Sequence, residues 1–397
     1  MNRKFWIAAL ITFINALSAT ILIPTIYLYA KQFNLTDFQA GCLLSMFAVA
    51  QFFATPVIGK LSDRFGRKPL LMISLTGTVI ANFLAGTAPN AIVLFLARGL
   101  DGITGGNVSV AQAIISDVTK PEERAKGFGI FGAAFGLGFI LGPVISLLAQ
   151  QISLGASFLA SSGMAAIALL LTTTLLPETL APEDRSRQIN LFDLGFSELI
   201  RGFTLPKIGL LLLLNFLIGT TFTIFTFGFQ PYYINVLKQD NRSLTLLFCM
   251  IGVLGVLAQT KGVSWLTKRT TLTRILFAGI LVRALAFLCM PLWPDIRYFV
   301  EVSIVFAMFN AMVQPMISTL ISLNVKPEEQ GISSGLNASY LSIANGIGPI
   351  IAGSMVHENH PITYSYPLFL AGFLNLGILW LAVKTRKQYT PTAMVRR

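Results

Sequence analysis

Apolar runs of about twenty residues recur along this chain of 397 residues, and a helix that crosses the hydrocarbon of a bilayer needs about that length. Polar breaks separate twelve such runs, at about 5–30, 38–61, 70–88, 91–117, 127–149, 154–176, 206–234, 243–260, 272–292, 298–322, 331–356 and 366–384. They are called spans 1 to 12 below. Backbone amides at membrane depth need internal partners, so each span is expected to be a helix. The composition agrees, with 54% hydrophobic and only 12% charged residues, where a soluble chain carries about 25% charged. The alternating segments of about ten residues that mark a membrane barrel are absent. The reading is an all-α membrane protein of twelve transmembrane helices. The first apolar run extends to Ala30, long for a secretory leader, and is read as a retained helix.

The basic residues orient the spans. With the N-terminus in the cytoplasm, 23 of the 29 Lys and Arg fall on inside segments, and four fall outside: Lys31, Lys238, Arg242 and Arg297. Arg98 and Arg283 lie within spans. This is the positive-inside pattern. It accounts for the net charge of +12 without a nucleic-acid partner, and it puts both termini on the cytoplasmic side of a plasma (inner) membrane. Cys42, Cys249 and Cys289 sit in apolar segments without ligand spacing, and His357 and His360 share a polar loop, so no metal is expected.

One piece of punctuation is written twice. VTKPEERAKGFGIFGAAFGLGFILGP runs from Val118 to Pro143, and NVKPEEQGISSGLNASYLSIANGIGP runs from Asn324 to Pro349. Both place Lys-Pro-Glu-Glu and a closing Gly-Pro at the same points, 206 positions apart. Spans 4–5 and 10–11 therefore occupy equivalent places in two repeats, as in transporters built from duplicated units. The expected organisation is two pseudo-symmetric six-helix bundles, 1–176 and 206–397, joined by a cytoplasmic linker at 177–205. Phe192, Leu194 and Leu199 give part of that linker the pattern of a short interfacial helix.

Between spans 2 and 3 the chain reads GKLSDRFGRKP, from Gly59 to Pro69. It is expected to form a tight turn in which Gly59 and Gly66 allow close backbone approach. This order of residues resembles the signature loop of the major facilitator superfamily, matched at Gly59, Leu61, Ser62, Asp63, Arg64, Gly66, Arg67 and Lys68. Length, span count and central linker extend the resemblance over nearly the whole chain. It implies that Asp63 braces the inner face against the start of span 11, that Arg67 pairs with Asp117, and that these residues form a conformational gate. The counterpart in the second half, Gly262 to Thr270, has no acid.

Span 4 carries LARGLDGITGG, in which Arg98 and Asp101 lie three apart and share a helix face. Gly105, Ser109, Gln112 and Ser116 continue that face. Charges at this depth cost about 2.5–3.5 kcal/mol each and are functional candidates by default. Two readings stay open: a proton-coupling pair, or a self-neutralised pair that fastens helices. The segment resembles the superfamily's Arg-containing helix 4 motif. Span 5, GIFGAAFGLGFILGP, resembles the antiporter motif of its exporters at Gly138, Gly142 and Pro143 and departs from it at Ser146-Leu147. Span 1, NALSATILIP, is similar to the first helix of tetracycline-type drug:proton antiporters. Those often carry a carboxylate where Asn15 stands, and an amide carries no proton. Either the proton site has moved, with Asp101 the best candidate and Glu301 a weaker one, or the coupling differs.

In span 7, Phe222, Phe225 and Phe229 offer stacking surface that suits an amphipathic or aromatic compound. Asn15, Gln51, Asn215, Gln259, Asn310, Gln314, Asn337 and Tyr340 are further pocket candidates, being polar groups in apolar helices. No phosphate-binding loop is present, so an ion gradient is the expected energy source and no cofactor is needed. The resemblance implies a monomeric secondary transporter exporting a small amphipathic compound against protons. Uptake or uncoupled facilitation of a small metabolite, such as a sugar or amino acid, is the alternative. A non-transporting receptor is a further one. No convergent acid, base and nucleophile set marks an enzyme.

Overall fold

The computed structural model describes residues 3–119, 124–185, 202–205, 208–325 and 330–389. Among them every regular element is a helix. Ten helices are long and apolar enough to cross a membrane. Span 11 is helical over Gln330–Ser354. Span 4 is divided into Ala91–Thr104 and Asn107–Val118. The Lys-Pro-Glu-Glu repeats (120–123 and 326–329) and linker residues 186–201, with Phe192, Leu194 and Leu199, lie outside the described residues.

Short polar connections carry the capping groups that start the next helix. The Asn90 side chain accepts from Val93 N at 3.1 Å, Ser153 accepts from Ala156 N at 3.0 Å, and Asp240 accepts from Ser243 N at 2.9 Å. Asp295 takes both Arg297 N and Tyr298 N, at 2.8 and 3.1 Å.

Three spans differ from unbroken rods. Span 1 is helical over Arg3–Ile21, turns at residues 22–25 and resumes over Ile26–Gln32; Pro24 has no N–H to continue the ladder. Span 4 breaks at Gly105-Gly106, where two residues of poor helix propensity adjoin. Span 8 runs over Asn241–Leu257, widens into a π-turn at Ala258–Gly262 and ends at Thr267. Span 2 continues to Phe65, so the expected turn contracts to Gly66 alone and Gly59 lies inside a helix. A Cβ there would meet nothing within 4 Å, so close approach is not what Gly59 supplies.

The chain forms two compact units, one of Met1–Leu35 with Met46–Leu194, the other of Thr36–Ser45 with Gly195–Arg397. In the first, span 1 packs on spans 5 and 6, and span 3 on spans 4 and 6. In the second, span 7 packs on spans 11 and 12, and span 9 on spans 10 and 12. Each pairing recurs six spans later. The repeat extends to single atoms. The Thr20 hydroxyl donates to the Gly138 carbonyl at 2.8 Å, and the Thr223 hydroxyl donates to the Ala344 carbonyl at 2.9 Å. Gly142 lies against Thr20 and Gly348 against Thr223 so closely that a Cβ at either glycine would overlap the facing helix backbone.

Candidate functional site

Four groups of polar residues stand out, each within one unit. The first surrounds Gly66, whose φ of 104° lies where only glycine is unstrained. The turn aims two helix-starting amides of span 3 at one carboxylate: Arg67 N and Lys68 N donate to Glu178 at 2.9 and 3.3 Å. The Arg67 side chain bonds Ser62 Oγ at 2.7 Å, Asp117 at 3.1 Å and also Asp63. Thr179 donates to Asp117 at 3.2 Å. The Arg64 guanidinium sits over the Phe65 ring. The start of span 11, against which Asp63 is expected to brace, adjoins residues 326–329, which lie outside the described residues.

The second group is in span 4. Ile92, Leu96 and Ile103 are exposed on one side of its first helix, while Leu94, Ala97, Arg98, Asp101 and Gly102 are buried on the other. The apolar side thus faces outwards and the charges face the bundle. Arg98 donates to Asp101 at 2.8 Å, and both side chains are 8% exposed. The guanidinium also lies 4.4 Å from the Phe47 ring centroid, and its Nε–H finds no acceptor among the described residues. The expected continuation of this face is interrupted: the break at Gly105-Gly106 ends the first helix, and Ser109 Oγ turns back to the Gly106 carbonyl at 2.8 Å. The Gly105 carbonyl group, next to the break, is taken by Gln51 Nε2 at 2.8 Å.

The break also starts a new helix at Asn107, whose amide donates to Asn15 at 3.0 Å. Asn15 is therefore held in a buried amide pair across spans 1 and 4. Gly138 and Gly142 lie on the face of span 5 packed against span 1, with Thr20 between, and Pro143 is buried beside them.

The fourth group is in the second unit. Asn215 donates to Asn337 at 2.5 Å, joining spans 7 and 11. Phe225 and Phe229 are 3% and 2% exposed and stack with each other, and Phe225 also stacks on Phe287. Their faces are taken up by packing; of the three rings named from sequence, Phe222 alone is part-exposed. Tyr340 is buried and stacks on Phe203 with centroids 4.3 Å apart. Asn310 is half-buried, while Gln259, Gln314 and Glu301 are exposed. Arg283 points into this unit, bonded to the Ile218 carbonyl and to Thr221.

Glu178, Asn107 and Phe47 escape sequence reading. Glu178 follows Pro177 at the end of span 6, where a lone acid looks like ordinary solvated surface. Asn107 and Phe47 acquire meaning only once the helix break and the crossing of spans 2 and 4 are known.

Two repeated six-helix units, with buried charges and amides facing the interior of each, define a duplicated membrane transporter scaffold. A family model described as Major Facilitator Superfamily matches residues 8–349 and 262–394, and the chain belongs to that superfamily. It is 31% identical over 318 residues to the tetracycline resistance protein, class C, of Escherichia coli, covering 78% of each chain. It is 27% identical over 390 residues to the quinolone resistance protein NorA of Staphylococcus aureus (strain MRSA252), covering 94% of this chain and 95% of that one. Among solved structures, the human organic anion transporter MFSD10 superposes with a TM-score of 0.73 at 21% identity, over 96% of this chain and 100% of that one. A D-xylose-proton symporter superposes with a TM-score of 0.75 at 16% identity, over 98% and 97%. The solved structures share the fold.

Proposed function

We propose that the protein exports a small amphipathic or aromatic compound from the cytoplasm in exchange for protons, by alternating access. The carrying observation is the Arg98–Asp101 pair, buried inside an apolar bundle at 2.8 Å. Asp101 takes up the proton and Arg98 sets its affinity. While the two touch, the guanidinium favours the ionised carboxylate; when they part, the carboxylate gains a proton. Asn15 has no group that titrates and its oxygen accepts from Asn107, which leaves the carrier role to Asp101. The antiporter-type face of span 5 and the names of the relatives support export as the direction.

One proton moving through 100 mV releases about 2.3 kcal/mol, enough for a solute gradient of roughly fifty-fold. The working unit in this reading is a monomer in the plasma (inner) membrane. Both termini are cytoplasmic, the bundles span 1–176 and 206–397, and 177–205 links them. The Asp63–Arg67–Asp117 cluster then lies on the cytoplasmic face and acts as the gate. The test is substrate-dependent proton movement in proteoliposomes: imposed acid inside should drive dye or drug accumulation, and collapse of the proton gradient should abolish uphill movement. Accumulation indifferent to that collapse contradicts the proposal.

A further inference from the structure

Arg283 is 2% exposed and lies on span 9, helical over Leu272–Cys289. Among the described residues it forms hydrogen bonds through Nη2 alone, to the Ile218 carbonyl at 2.5 Å and to Thr221 Oγ1 at 2.8 Å. Its Nε–H is buried without an acceptor. The guanidinium carbon stands 5.4 Å from the ring centroids of both Phe222 and Phe287. No carboxylate among the described residues pairs with it. Arg98 is the contrast: a guanidinium equally buried in the other unit, with Asp101 at 2.8 Å.

A guanidinium does not shed its proton, and a charge buried without a counter-charge is strongly unfavourable. If Arg283 only fastened span 9 to span 7, a glutamine amide could donate to the Ile218 carbonyl without placing a charge in hydrocarbon. The retained charge, the unspent Nε–H and the flanking rings match one ligand chemistry. A carboxylate pairs with guanidinium N–H groups, and a flat apolar body stacks on an aromatic face. Phe287 is fully buried, whereas Phe222 is part-exposed and is the ring that offers a ligand a face beside the guanidinium.

We propose that Arg283 and Phe222 bind the carboxylate and ring of an aromatic anion within the second unit, so that the exported compounds include aromatic carboxylates. The proposal rests on the exporter reading and names its substrate class. The anion could instead be inorganic, and the experiment separates the two sources.

Binding of 1-naphthoate, its methyl ester and chloride is measured by calorimetry on the purified full chain, in chloride-free buffer. Naphthoate should bind at least about ten-fold tighter than the ester, and Arg283→Gln should weaken naphthoate by about ten- to a hundred-fold, the range for hydrogen bonds to a charged group. The ester should be little affected. Equal binding of naphthoate and ester, or equal weakening of both by Arg283→Gln, overturns the proposal. So does Arg283-dependent binding of chloride with none of naphthoate. Should Arg283→Gln fail to fold, the comparison of naphthoate with ester on the unaltered protein decides. Proton-driven export of cationic dyes without naphthoate binding leaves the exporter reading standing and removes this one. Arg283-dependent naphthoate binding without proton-driven flux does the reverse.

Discussion

Thr20 reaches across from span 1 to donate its hydroxyl proton to the carbonyl of Gly138 on span 5, at 2.8 Å. The bond sits one turn before Gly142, and its counterpart from Thr223 to Ala344 sits one turn before Gly348. Close helix approach needs a missing side chain at the crossing, and the chain provides the glycine in both halves.

Overpacking should therefore cost the same at both crossings. Gly142→Ala and Gly348→Ala each press a Cβ onto a facing backbone, and should each destabilise by about 1–3 kcal/mol. Gly59→Ala, with open space around it, should gain up to roughly 1 kcal/mol from helix propensity. Thermal unfolding in detergent measures all three. Indifference of Gly142 or Gly348 to the substitution would show that the crossing is looser than described.

The Gly66 turn predicts a second pattern. Gly66→Ala must adopt a left-handed backbone and meets Glu178, so it should cost at least about 1–2 kcal/mol. Glu178→Ala leaves two helix-starting amides without their carboxylate, a loss of about 0.5–2 kcal/mol. Melting temperatures of the two variants and of the pair check this. The effects should fall short of additive, because both act on one turn.

Arg67 joins the span 2–3 turn to Asp117 at the end of span 4. If this cluster is a gate, Asp117→Asn weakens a charge-assisted bond worth about 1.5–3 kcal/mol. The balance between transport states should then move by at least about ten-fold. Transport rate should change more than substrate affinity, as read from initial rates over a range of substrate concentrations. An unchanged rate would reduce the cluster to a surface tie.

Asn15→Leu should separate structure from coupling. It strands the buried Asn107 amide, at a cost of about 1–3 kcal/mol in stability. It removes no titratable group, so the pH profile of transport should keep its midpoint. A displaced midpoint would place span 1 in the proton path.

Much of this architecture is legible in the sequence because hydrophobicity is a local property. The span limits fall close to the observed helices, and the 206-residue offset of Gly142-Pro143 and Gly348-Pro349 announces the repeat. The reverse is true of everything set by a crossing. Hydropathy places Asn15 in an apolar span but does not show that Asn107 answers it, since that contact depends on the helix break at Gly105-Gly106. Aromatic spacing in span 7 is blind to whether Phe225 and Phe229 face a ligand or one another. Arg283 reads simply as a charge within a span; that no carboxylate among the described residues pairs with it emerges only from packing.

The most direct test of the account is the effect of Asp101→Asn on proton-driven substrate accumulation in proteoliposomes, with substrate binding measured on the same preparation. Binding should persist, uphill accumulation should disappear, and substrate movement should no longer carry protons. Asp101→Asn vesicles that still concentrate substrate and move protons with it would contradict the assignment of Asp101 as the proton carrier.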